Sequence, residues 1–124
     1  MNIYFIITRL LDFSFTITFG TLFVPNALSA NDPNPDVTVF LPKGKGLLRY
    51  RCMIFDKWGN KLWESTALID GQPAEGWDGR YRGEPVPQGA YVWKIDGLFG
   101  NSQVWEGQNR DGTFYQAGTV TVFR

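Results

Sequence analysis

What most constrains this chain is its punctuation. Glycine and proline supply 14 and 7 of its 124 residues, and they fall between short runs in which apolar and polar residues alternate. Alternation with a period of two gives a strand one apolar face. Clusters of Gly, Pro, Asn and Asp between such runs give turns. A helix would need an apolar stripe recurring every three to four residues over ten or more positions, and no credible amphipathic stretch of that kind is present. The chain is therefore expected to be all-β.

The runs place the strands. Thr21 to Leu28 reads as a short strand that Pro25 confines to an edge or an end, and Val37 to Leu41 as a second. Leu48 to Phe55 alternates, with Leu48, Tyr50, Cys52 and Ile54 on one face and Arg49 and Arg51 on the other. Asp56 to Asn60 reads as a hairpin turn, with Gly59 and Asn60 supplying positive φ, and Lys61 to Ser65 returns. Residues 76 to 89 form a turn-rich connection. Ala90 to Asp96 is the next strand, with Tyr91, Trp93 and Ile95 on one face and a turn over Gly97 to Ser102. Gln103 to Glu106 returns, Asn109 to Gly112 turns, and Gly118 to Arg124 closes the chain. Seven short strands at this spacing predict a single antiparallel β-sandwich of immunoglobulin-like type.

Composition removes several functions. Basic and acidic residues balance at 12 each, so there is no cationic excess to neutralise nucleic-acid phosphates. There is no histidine, which rules out a Ser-His-Asp or Cys-His site and the commonest metal ligand. The lone Cys52 cannot form an internal disulfide or a multi-cysteine zinc site, and its place on an apolar face predicts a small buried core residue. Glu64, Asp78 and Glu106 would suit a two-carboxylate hydrolase, but no pattern pairs them. Asn31, Asp32, Asn34 and Asp36 carry oxygen ligands without the spacing of a calcium loop, and read as a polar turn. No enzyme, metal or cofactor is expected.

Residues 1–20 form a separate apolar segment. Arg9 and Asp12 interrupt it as a membrane span, and no cation precedes Arg9 as an export signal requires. Ala27 to Ala30 nonetheless offers small residues of the kind a signal peptidase accepts. Phe13 to Phe19 alternates like a strand. The segment reads first as the tail of an upstream strand or domain, with an atypical export signal and a segment of no settled structure as alternatives.

Across residues 21–124 a set of motifs falls in a familiar order. Phe23-Val24-Pro25-Asn26-Ala27-Leu28 opens it. Ile54-Phe55-Asp56-Lys57-Trp58-Gly59-Asn60-Lys61 follows, then Gly76-Trp77-Asp78-Gly79, Gly83, and Val86-Pro87-Gln88-Gly89-Ala90-Tyr91-Val92-Trp93. Val104-Trp105-Glu106-Gly107 and Gly118-Thr119-Val120-Thr121-Val122-Phe123-Arg124 complete the order. The chain resembles the gliding motility-associated C-terminal domain, the type B sorting domain of the type IX secretion system. It departs at Ala30 to Asp36, where the family carries a glycine-rich loop.

The resemblance implies that residues 21–124 are a sorting domain for export across the outer membrane and attachment at the cell surface. The implied partners are the outer-membrane translocon and its associated proteins, with no nucleic acid and no small-molecule substrate. Trp58, Gly59, Gly76, Trp77, Asp78, Gly79, Gly89 and Tyr91 are expected to build the motif turns, with Trp58 and Trp77 covering an end of the core. Gly118 to Arg124 is the candidate translocon-recognition segment. It could act by adding its backbone edge to a partner, unless it is paired inside its own sheet. The competing class is an accessory carbohydrate-binding module, in which some of Trp58, Trp63, Trp77, Trp93 and Trp105 would stack on sugar rings.

Overall fold

The computed structural model describes residues 20–124; the readings of Phe13 to Phe19 and of an apolar N-terminal segment lie outside them. The strands are β1 (Thr21–Phe23), β2 (Ala27–Ser29), β3 (Lys43–Lys45), β4 (Leu47–Phe55), β5 (Lys61–Ser65), β6 (Leu68–Ile69), β7 (Gln72–Pro73), β8 (Arg80–Tyr81), β9 (Glu84–Pro85), β10 (Gly89–Phe99), β11 (Gln108–Arg110), β12 (Thr113–Tyr115) and β13 (Ala117–Phe123). The main sheet runs β2-β13-β10-β4-β5, and four two-stranded pairs surround it: β1-β3, β6-β7, β8-β9 and β11-β12. The all-β expectation holds. The count of seven strands and the wholly antiparallel pairing do not. β13 pairs parallel with β2, Thr121 opposite Ala27 and Phe123 opposite Ser29, so the sheet is mixed.

The long strands follow their alternation. Tyr91, Trp93, Ile95 and Phe99 of β10 are buried while Val92, Lys94 and Asp96 face out. β10 outruns the expected end at Asp96 by three residues. The turn is Gly100 to Gln103, where Ser102 donates to the Phe99 carbonyl and Phe99 to that of Gln103. In β4, Tyr50, Cys52 and Ile54 point inward as expected, but Leu48 is 59% exposed and Leu47 is buried. The register explains the exchange: Leu98 pairs with Arg49 and Phe99 with Leu47, so Leu48 is the extra residue of a β-bulge.

Three expected strands are corrected. Thr21 to Leu28 is broken into β1 and β2. Pro25 has no N–H to give, and Val24 exchanges both its backbone groups with the Gln108 side chain, at 3.2 and 3.1 Å. Val37 to Leu41 is not a strand. Pro35–Val37 forms a 3-10 turn with Pro at its start, and Asn34 caps it by accepting from the Asp36 amide. Only Phe40 bridges, to Trp77. Gln103 to Glu106 contributes a single bridge, Val104 to Leu98, and a bond from the Trp105 amide to the Gly97 carbonyl.

The core lies on the inward face of the main sheet. Leu28, Tyr50, Cys52, Ile54, Trp93, Ile95, Val120 and Val122 supply that face, and Val24, Phe40, Trp77, Val86 and Trp105 cover it. Gly118 sits opposite Trp93, where a Cβ would lie 2.7 Å from the indole. The absent side chain is what lets that ring lie flat across β13.

Candidate functional site

The motif residues converge on one end of the sheet. The β4–β5 turn is fixed by Asp56, whose Oδ1 accepts from the amides of Trp58 and Asn60, both at 2.9 Å, and whose Oδ2 accepts from the Asn60 side chain at 3.0 Å. That side-chain bond, helped by the backbone donors, holds the Asp56 carboxyl below its usual range. Gly59 takes φ +88°. Asn60 does not share the positive φ expected of it. It contributes its amide group instead, so the turn needs one left-handed residue rather than two. Trp58 is 76% exposed, which corrects its expected place over the core. Lys57 Nζ stands 4.9 Å from its ring centroid.

Trp77 behaves as expected of a core residue. It is fully buried, its indole N–H donates to the Arg80 carbonyl at 3.0 Å, and it meets Tyr91 edge-on with ring centroids 5.5 Å apart. Asp78 caps its own turn by accepting from the Arg80 amide. Gly76 packs against the Phe40 carbonyl and the Val39 and Leu41 side chains, and Gly79 turns at φ +78°. Gly89 opens β10, and two residues on the Tyr91 hydroxyl donates to the Pro87 carbonyl at 2.6 Å.

Arg124 ties these turns together. Its Nε donates to the Val86 carbonyl at 2.6 Å, its Nη2 to the Gly79 carbonyl at 2.5 Å, and its amide to Gln88 Oε1 at 2.9 Å. The Asp56–Asn60 turn, Tyr81 and the Val86–Tyr91 segment then enclose a cleft of about 860 Å³. Tyr81, Gln88 and Lys57 were not singled out by sequence. Lys57 and Gln88 stand at variable positions inside the motifs, Tyr81 lies outside them, and only the folded β8–β9 hairpin brings Tyr81 to the same cleft as Trp58.

The last strand is not a free edge. Gly118 to Val122 pair with β10, and Thr121 to Phe123 pair with β2 on the other side. Strand addition is therefore closed to Thr121, Val122 and Phe123 in this fold. Val120 and Val122 are buried, while Thr119 and Phe123 look outward: Thr119 pairs with Val92 of β10, 39% exposed, and Phe123, 49% exposed, lies four residues on, opposite Ser29 of β2.

The candidate acids are spread apart. Glu64 is held by Arg51 at 2.7 Å and Lys61 at 2.5 Å, and Glu106 is exposed beside Trp105. Asp32 and Asn34 spend their side-chain oxygens on amides two residues on. Among the described residues no three His, Cys, Asp or Glu side chains gather as a metal site. Of the five tryptophans, Trp77, Trp93 and Trp105 are buried and Trp63 is half-buried, so Trp58 alone is well exposed.

A family model described as the CHU_C Type IX secretion signal domain matches residues 22–104. Both the Trp58 and the Trp77 motifs lie within that match, and β13 lies beyond it. Among curated proteins no sequence matches this chain. Among solved structures, the crystal structure of CopC from Methylosinus trichosporium OB3b is similar with a TM-score of 0.52 and 17% identity, over 83% of this chain and 94% of that one. That likeness is one of fold.

Proposed function

This chain belongs to the type IX secretion signal domain family, and from that premise we propose that it is a C-terminal sorting address carrying a cargo across the outer membrane to the surface of a gliding bacterium. The observation that carries the reading is the family match over residues 22–104. The domain performs no reaction in this reading. It is recognised as a folded object by the outer-membrane translocon and its associated proteins.

The Gly118–Arg124 segment acts through its outward side chains rather than through its backbone. Interfaces draw most of their affinity from a few exposed apolar anchors that become buried on docking. Phe123 offers such an anchor at the end of β13, with Thr119 and Thr121 on the same outward face of the strand. Gly118 and the inward Val120 and Val122 hold the strand in place, and Arg124 fixes the end of it to the motif turns.

The test is a fusion of residues 21–124 behind a periplasmically exported fluorescent protein, in a gliding bacterium with and without a working type IX system. Surface and released fluorescence that depends on the system is expected. Phe123→Ser should cut export by about tenfold while the thermal midpoint of the purified domain stays put. A stable fusion retained in the periplasm would sink the sorting reading. Undiminished export of Phe123→Ser would sink only the assignment to this face.

A further inference from the structure

β5 ends the main sheet, with β4 on one side and no strand on the other. The direction of its backbone groups follows from the turn beside it. The Asp56 amide donates to the Asn60 carbonyl at 3.0 Å, and antiparallel pairs alternate between hydrogen-bonded and not. Phe55–Lys61 and Met53–Glu64 are then the pairs without hydrogen bonds, with Ile54–Trp63 bonded between them across the bulge at Leu62. The far side of β4 agrees. The Ile95 amide donates to the Gln116 carbonyl, away from its β4 partner Cys52, which leaves the Cys52 backbone turned toward Ser65. Lys61 and Glu64 therefore direct their N–H and C=O groups out of the sheet. Among the described residues, no backbone bond from beyond β4 reaches residues 61–65.

This edge borders the cleft of about 860 Å³, where Lys61 and Leu62 join Lys57, Trp58, Tyr81 and Val86 in the lining. A strand laid along β5 would turn every second side chain toward that cleft, whose walls there are largely apolar and aromatic. The charges narrow the partner. Of the charged residues that line the cleft, Asp56 spends its carboxylate on its own turn, and Lys61 pairs with Glu64 at 2.5 Å. Lys57 has no acidic partner among the described residues, and its Nζ stands 4.9 Å from the Trp58 ring centroid. Arg82 is likewise without an ion pair among them, 5.0 Å from the ring centroid of Tyr81. The unspent charge beside both exposed rings is thus positive. A bulge and an edge lysine discourage pairing with an arbitrary strand, so an incoming strand needs matching charge as well as backbone.

We propose that the β5 edge captures an extended acidic segment of a partner protein, which adds to β5 as a strand, lays apolar side chains in the cleft and brings carboxylates to Lys57 and Arg82. In strand addition the main-chain bonds supply affinity, and the side chains that alternate into a neighbouring pocket supply specificity. The backbone groups of Lys61 and Glu64 fill the first role. Leu62, Val86 and the rings of Trp58 and Tyr81 fill the second, with the two cations selecting for acid. The site is independent of the sorting reading, since strand addition in solution needs no export.

The full chain would be titrated with the end-capped peptide Glu-Thr-Val-Thr-Val-Thr-Glu, its lysine-ended counterpart and tripolyphosphate, following amide hydrogen exchange by NMR. The acidic peptide should bind with a Kd of about 1 mM or tighter. At about ten times its Kd, exchange of the Lys61 and Glu64 amides should slow by about tenfold. Lys57→Glu and Arg82→Glu should each weaken binding by about threefold or more with the thermal midpoint unchanged, because both side chains are exposed. The two changes together should favour the lysine-ended peptide. No binding of the acidic peptide, or binding that leaves both amides exchanging freely, would overturn strand addition. Equal affinity of the parent chain for the lysine-ended peptide would overturn the acidic class. Tripolyphosphate that binds as tightly as the acidic peptide would assign the cations to a soluble polyanion. Protection of both amides in the free chain that falls on dilution would place a second copy on the edge instead.

Discussion

Cys52 lies at the middle of β4, between Tyr50 and Ile54 on the inward face, with no exposed surface. Burial pushes its thiol up to about 12, because a thiolate there would be stripped of water. The Tyr50 hydroxyl beside it is buried with no hydrogen-bond partner of good geometry among the described residues, and burial raises its pKa as well. A thiol so placed is both inaccessible and protonated, so it is inert. A disulfide reagent at about pH 8 should therefore leave the native protein unlabelled and modify Cys52 at the rate at which the domain opens. Immediate labelling without denaturant would show that β4 is not packed as described. The apolar alternation around Cys52 made its burial readable in the sequence. The orphaned Tyr50 hydroxyl was not readable, because it depends on what packs across from it.

At the scale of elements, the β4–β5 hairpin depends on an ionised Asp56. The Asn60 amide and three backbone groups lower its pKa in the folded state. A lowered carboxylate pKa adds stability above the unfolded value of about 3.8, and that stability is lost as pH falls through the folded value. Asp56→Ala should thus lower the thermal midpoint at neutral pH, and the gap to the parent should close as pH drops below the carboxylate range. A gap that persists in acid would assign the loss to packing instead. The hairpin itself was legible, because Asp56 and Gly59 carry their turn chemistry locally. So were β4, β10 and β13, whose period of two matches the burial. The β-bulge at Leu48 was not, since a one-residue slip is set by the partner strand. Val37 to Leu41 has strand-forming residues but no edge to pair with beyond the Phe40–Trp77 bridge, and local capping at Asn34 took the first of them. The cleft was half legible: its motif wall could be named, but Tyr81 arrives from a hairpin with no strand pattern of its own.

For the whole molecule, the sheet order makes β2, near the start of the described residues, and β13, at their end, depend on each other. β2 has β13 as its sheet partner, and β13 stands between β2 and β10. Val120 and Val122 help fill the core beside Trp93 and Leu28, while Arg124 ties the Gly79 and Val86 turns. Removing residues 117–124 would strip β2 of its partner, open the full edge of β10 and expose the inward face of the sheet. Such a truncation should lose the cooperative unfolding transition altogether. Arg124→Ala should keep it, with stability reduced by about 1–3 kcal/mol for the lost charged hydrogen bonds. Thermal melts followed by near-ultraviolet circular dichroism separate the two outcomes. A truncated chain that still melts cooperatively would mean that β13 is an addition to a complete core. If the truncation unfolds as expected, export lost on deleting the last strand reports the loss of a fold. Point changes on the outward face, such as Phe123→Ser, are then what separate an address from the scaffold that holds it.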